Sequence, residues 1–325
     1  MTPDLDRPRL PRIPSSANWG AGLALATATI SGVAIYLNAF AVRQVPDPAV
    51  YTTLKNGVAA LALLALVGIG ARAEVRSLRG RQWAALVVLG LIGGSVPFLL
   101  FFTGLAQATA PGAAFIHKTM FVWVALLAVP LLGERLGWVQ VAALGLLLAG
   151  QLVVAAPSGM AWSSGETLIA AGTLLWSLEV IVARRLLGSG VMSSSVAAAG
   201  RMGFGMIVLL GYLAFSGRLG GMADLGAAGW AWVIVTGLLL TGFVATWYAA
   251  LRRAPASVVT SILVVGAVVT AALQAFGPGV VPQPAALGGY ALLAAGVALV
   301  IVLHARRGTR SGVPAAGAAP VNAAG

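Results

Sequence analysis

Apolar positions in this chain gather in blocks of about twenty, divided by short polar or glycine- and proline-containing links. The blocks fall at Trp19–Val42, Ala49–Gly70, Gln82–Thr103, Pro111–Leu132 and Trp138–Ala156, then at Gly165–Leu187, Ser193–Phe215, Gly229–Ala250, Pro255–Phe276 and Ala285–His304. About 20 apolar residues in a helix cross the hydrocarbon core of a bilayer, so the pattern predicts ten transmembrane helices. The first block follows Arg7, Arg9 and Arg12, as the core of a signal peptide does. It is longer than such a core and nine more blocks succeed it, so it is expected to remain in the protein. The proline-rich head (1–18) and the small-residue tail (305–325) are expected to be disordered.

Composition agrees with this pattern. Hydrophobic residues make up 59% of the 325 positions and charged residues 9%, against roughly 25% charged in soluble chains. The formal net charge of +12 raises the question of nucleic acid. Its placement answers otherwise. With the N-terminus in the cytoplasm, the inner segments hold 15 arginines, among them Arg72, Arg76, Arg79 and Arg81, and the outer loops only Arg43 and Arg218. That asymmetry is the positive-inside rule, and a missed helix would scramble it. The basic loops therefore face lipid, no nucleic-acid partner is expected, and both termini are expected in the cytoplasm of a cell-membrane protein. Trp19, Trp83, Trp138, Trp162 and Trp230 lie near block ends, where interface anchors belong. The chain has no cysteine, which excludes disulfides and thiolate metal sites.

The two halves echo each other. "FFTGLAQATAPGAAF" (Phe101–Phe115) is matched by "WYAALRRAPASVV" (Trp247–Val259), and "LKNG" (Leu54–Gly57) by "GRMG" (Gly200–Gly203), which makes Lys55 and Arg201 counterparts. Five blocks per half is an odd number, so the second half enters the membrane inverted. The fold expected is an all-α polytopic membrane protein of two inverted five-helix repeats, 19–156 and 165–304. With ten blocks in that order, "LLGERLGWVQVAALGLLLAG" (Leu131–Gly150) and "YAALRRAPAS" (Tyr248–Ser257) resemble the EamA-type branch of the drug/metabolite transporter superfamily. The resemblance covers about Trp19 to His304 and implies export or exchange of amino acids, metabolites or drugs. The second half departs from it, with "FGPGVVPQPAALGGY" (Phe276–Tyr290) where a Gly-Glu link is expected.

Ionisable groups inside the blocks mark candidate function, because each costs at least about 2.5–3.5 kcal/mol to insert unless it meets water or a partner. They are Lys55, His117, Lys118, Glu179 and Arg201. Both lysines of the chain lie inside blocks, whereas every loop cation is arginine; lysine alone of the two loses its proton readily when desolvated. Depth counted at the 1.5 Å helical rise puts Lys55 and Lys118 in the outer half and Glu179 and Arg201 in the inner half. Lys118 is the expected anchor for an anionic group, tuned by His117 and Lys55, and Glu179 is expected to pair with Arg201. Helical spacing adds Trp176 beside Glu179, Tyr248 in a stripe with Thr241 and Ala245, and Ser257 with Ser261. Ala24, Ala28 and Gly32 read as a close-packing face, and Pro97 and Pro130 as kinks.

One buried acid and one deep histidine make neither a binuclear metal site nor a nucleophile relay, so neither an enzyme nor a resident cofactor is expected. A channel is expected to repeat a ring around its pore. Inverted repeats with a few polar groups at mid-membrane depth point to a secondary transporter working by alternating access. Three buried cations against one acid favour a cargo with a carboxylate, such as an amino acid or organic acid. The alternative is proton-coupled efflux of cationic drugs through Glu179. Protons remain a candidate coupling ion and a homodimer a candidate assembly.

Overall fold

A computed structural model describes residues 17–45, 47–105, 107–108, 110–155, 162–277 and 283–311. Most of the expected head and tail, and much of the links after the fifth and ninth spans, lie outside them. In the first half, α1 (Ala17–Gln44) and α2 (Pro48–Gly70) are followed by the short α3 (Arg72–Ser77). The third span joins α4 (Gly80–Leu89) to α5 (Val96–Leu105) through a π turn at Gly90–Ser95. The fourth span is α6 (Ala110–Lys118) and α7 (Met120–Leu132), and the fifth is α8 (Trp138–Ala155). The second half holds α9 (Ser164–Gly188), α10 (Ser194–Phe215) and α11 (Ala227–Arg253), then α12 (Ala256–Leu263) with α13 (Val265–Phe276), and finally α14 (Pro284–Ser311). Among the described residues, nine spans are long and apolar enough to cross a membrane, and Trp138–Val154 is a shorter tenth apolar helix. The last helix passes the expected end at His304 and reaches Ser311.

The packing has the symmetry that inverted repeats require. Span two lies on span seven (α2 on α10) and span five on span ten (α8 on α14), each on its own counterpart. Span one lies on span eight (α1 on α11) and span three on span six (α5 on α9), two pairs that exchange when the halves are exchanged. Small residues permit these approaches. A Cβ on Gly104 would stand 2.6 Å from the Gly165 carbonyl, and one on Gly165 would stand 2.7 Å from the Gly104 carbonyl. The expected small-residue face of α1 packs on α13, where a Cβ on Gly32 would meet the Gly266 carbonyl at 2.7 Å. Without water to satisfy backbone groups, such close helix contacts are what hold a bundle together in lipid.

Helix ends are finished by side chains, some from the opposite half. Asp47 caps α2, accepting from the Ala49 and Val50 amides at 2.8 and 3.3 Å, and Ser163 with Glu166 forms a capping box on α9. The orphan amides of a first turn require such partners. Glu74, between the second and third spans, accepts from the Ser193 amide at the start of α10 at 2.5 Å. Glu134 follows Gly133, whose φ of 68° ends α7 in the left-handed conformation glycine favours. That turn carries the Glu134 carboxylate to the start of α12, where it accepts from the Ala256 amide at 2.6 Å and the Ser257 amide at 3.2 Å. Both long-range caps lie on the arginine-rich side.

Candidate functional site

The third span owes its irregularity to Pro97. A proline lacks the amide that would bond the carbonyl four residues back, and four back from Pro97 is Gly93. The π turn at Gly90–Ser95 widens the helix there, and the Ser95 hydroxyl donates to the Gly90 carbonyl at 3.0 Å. The freed Gly93 carbonyl accepts from the Trp176 indole at 3.0 Å and from Arg201 Nη2 at 3.1 Å. Three elements from two halves thus meet on one backbone oxygen. π turns of this kind recur at functional sites.

Lys55 and Arg201 occupy matching places, each the eighth residue of its helix. Each faces an oxygen acceptor on the preceding span. Lys55 Nζ donates to Asn38 Oδ1 at 3.4 Å, and Arg201 Nε lies 3.9 Å from Glu179 Oε1. A tyrosine hydroxyl donates to each acceptor, Tyr51 to Asn38 and Tyr248 to Glu179. The cation lies over the same tyrosine in both cases, at 5.1 Å for Lys55 on Tyr51 and 6.0 Å for Arg201 on Tyr248. The two motifs are alike in kind, with an amide in the first half and a carboxylate in the second, although the tyrosines come from non-equivalent helices, Tyr51 from α2 and Tyr248 from α11. Glu179 and Arg201 are 1% and 6% exposed.

Both motifs face one cavity of about 230 Å³. Lys55, Asn38, Thr236, Glu179 and Arg201 are its polar lining, with Phe98, His117, Trp176, Phe243 and Trp247 among its walls. The His117 ring meets Phe101 and Trp176 edge-on, with centroids 5.2 and 4.9 Å apart. Its Nδ1 is buried and has no hydrogen-bond partner among the described residues.

Of the residues singled out from sequence, Lys55, His117, Trp176, Glu179 and Arg201 line this cavity, and Tyr248 stands behind Glu179. Lys118 does not line it. Consecutive helical residues point about 100° apart; His117 lines both the cavity and an adjoining pocket of about 70 Å³, and Lys118 lines only the latter, with Ser31 and Thr260. Ser257 and Ser261 also lie elsewhere. They belong to the capped start of α12, the Ser257 hydroxyl bonded to Glu134 and the Ser261 hydroxyl to the Ser257 carbonyl at 2.6 Å. Thr241 donates to the Gly237 carbonyl at 2.9 Å within its own helix. Reasoning on sequence missed Asn38 and Thr236, which carry no charge to mark them, and the Gly93 carbonyl. The last had a signal in the Gly-Gly pair ahead of Pro97.

The fourth and ninth spans bend at matching points, at Thr119 (φ −71°, ψ −2°) and at Val264 (φ −59°, ψ −25°). Interrupted spans beside a mid-membrane site are a feature of transporters built from inverted repeats.

Comparison with known proteins gives a family and a fold. The model of the EamA-like transporter family matches residues 18–156 and again 163–302. A curated relative from Streptantibioticus cattleyicolor is described as a probable terminal-alkyne amino-acid exporter. It is 30% identical over 230 residues, 70% of this chain and 75% of its own length. A protein of known crystal structure aligns with a TM-score of 0.70 at 19% identity, over 87% of this chain and 98% of its own.

Proposed function

The chain belongs to the EamA-like transporter family, and from that premise we propose that it exports a small amino acid with an apolar side chain by alternating access. The observation that carries this reading is the presence of Lys55 and Glu179 in the lining of one small cavity rich in aromatic residues. Lys55 offers an ammonium to the cargo carboxylate, with the Asn38 side chain beside it. Glu179 offers a carboxylate to the cargo ammonium, while Arg201 and Tyr248 hold it in place. Phe98, Trp176, Phe243 and Trp247 suit an apolar side chain. Size argues against larger cargo, since pockets for drug-sized ligands run to roughly 300–1,000 Å³ and this cavity is about 230 Å³. The amino-acid exporter among its relatives supports the same class. What favours Lys55 over Lys118 as the carboxylate anchor is that Lys55 shares a cavity with Glu179 and Lys118 does not.

Proteoliposomes loaded in turn with apolar, acidic and basic amino acids and with cationic drugs, with and without a pH gradient, provide the test. Apolar amino acids are expected to leave fastest. Lys55→Met is expected to slow them roughly 10- to 100-fold, the range of about 1.5–3 kcal/mol for a charged hydrogen bond, and Lys118→Met less than about threefold by the same scale. Exclusive transport of cationic drugs would overturn the substrate class. Loss in Lys118→Met with wild-type rates in Lys55→Met would overturn the anchor.

Rocking of the two repeats about the cavity, with both termini in the cytoplasm, completes the proposal. The arginine asymmetry supports that orientation. The chain has no native cysteine, so single cysteines report topology without background. A cysteine at Arg76 is expected to react with impermeant maleimide only after the membrane is opened; labelling of intact cells there would reverse the orientation.

A further inference from the structure

Away from the central cavity, α2, α4 and α10 enclose a groove of about 740 Å³. Its walls include Leu61, Leu64 and Ile207, all exposed. Gly68 and Gly203 keep it open: a Cβ on Gly68 would meet nothing within 4 Å, and one on Gly203 would meet only Leu64, at 3.7 Å. From Gly57 to Arg72 the groove follows α2 and the start of α3, a length of about 22 Å at the helical rise. One leaflet of hydrocarbon is about 15 Å deep, so the groove runs from the middle of the bilayer to its surface. At the surface end stand Arg72 and Arg76, both exposed, with Trp83 alongside.

The acid between these arginines is engaged elsewhere, since Glu74 accepts from the Ser193 amide. Among the described residues, neither Arg72 nor Arg76 has an ion pair or a side-chain hydrogen bond. An apolar slot one leaflet deep, ending in two free guanidinium groups at the interface, is complementary to one kind of molecule. We infer that this groove holds an anionic phospholipid, with an acyl chain along Leu61, Leu64 and Ile207 and the phosphate between Arg72 and Arg76. Guanidinium groups match phosphate oxygens in geometry as well as charge, and basic pockets between helices at this depth suit anionic headgroups. A lipid seated here touches α2 and α10, the helices that carry Lys55 and Arg201, on their outward faces.

Native mass spectrometry of the full chain, exchanged into micelles with equal phosphatidylglycerol and phosphatidylcholine, tests the inference. The wild type is expected to retain phosphatidylglycerol selectively. Arg72→Gln with Arg76→Gln is expected to lower that selectivity roughly thirtyfold, at about 1 kcal/mol for each basic residue. Arg76→Gln alone covers a failure of the double variant to fold, with a loss of roughly fivefold on the same scale. Gly203→Leu fills the slot and is expected to remove bound lipid of both kinds. Equal retention of the two lipids by the wild type, or selectivity unchanged in the arginine variants, would overturn the inference. So would displacement of phosphatidylglycerol by an amino acid that the protein transports, since the groove would then belong to the cargo.

Discussion

Glu179→Ala and Arg201→Ala are each expected to lower transport at least a hundredfold and to lower the melting temperature. Each leaves a charge stranded among residues that exclude water, and breaking a buried pair costs about 3–5 kcal/mol. Arg201→Ala also removes one of the two donors to the Gly93 carbonyl. The double variant separates two roles that either single variant confounds. With both charges gone, stability is expected to recover to well above the sum of the single losses. Transport is expected to stay lost, because the cargo ammonium has no carboxylate to meet. Additive stability losses, read by thermal melting in detergent, would show that the two charges do not act as a pair. Recovery of transport in the double variant would make the pair purely structural.

Gly93→Ala is expected to damage transport with a single added methyl. The added Cβ would stand 2.4 Å from Glu179 Cγ and 2.9 Å from Arg201 Nε, distances that force the pair apart. Overpacking of this kind costs about 1–3 kcal/mol by itself, and separating the pair adds to it. Transport is expected to fall at least tenfold, with the protein still inserted. Gly211→Ala is the control, because a Cβ on Gly211 meets nothing within 4 Å. Equal rates in the two variants would mean that the third span does not press on the pair.

How much of this was readable beforehand follows from what each feature depends on. Block length and the arginine asymmetry are properties of single segments, and they anticipated the spans and the inverted halves. The counterpart relation of Lys55 and Arg201 was likewise legible, because the residues stand at equal depth from the starts of matching helices. Facing is harder. His117 and Lys118 are adjacent in sequence, and only the rotation of α6 against α9 decides that the histidine enters the cavity. Asn38 escaped notice because a neutral amide in an apolar run acquires meaning only when Tyr51 and Lys55 converge on it. Glu134 lies within the quoted Leu131–Gly150 stretch, but its partners, the Ala256 and Ser257 amides, belong to the other half. Helical spacing groups Ser257 with Ser261, and only the contact between the halves shows that Ser257 meets Glu134 at a helix end.

Under the proposed rocking of the halves, those helix ends bias where the empty carrier rests. Glu74 and Glu134 belong to the first half, and the three peptide amides they hold, of Ser193, Ala256 and Ser257, belong to the second. Swinging the halves apart on the arginine-rich side would withdraw both carboxylates from their amides. A helix cap is worth about 1 kcal/mol, so two of them tilt the unloaded equilibrium roughly thirtyfold toward the form closed on that side. A cargo shifts that balance only by what it gains in one form over the other. In the proposed cycle the resting population then depends on helix-end chemistry in the loops, away from the charges proposed to meet the cargo, so that the two are open to separate tuning.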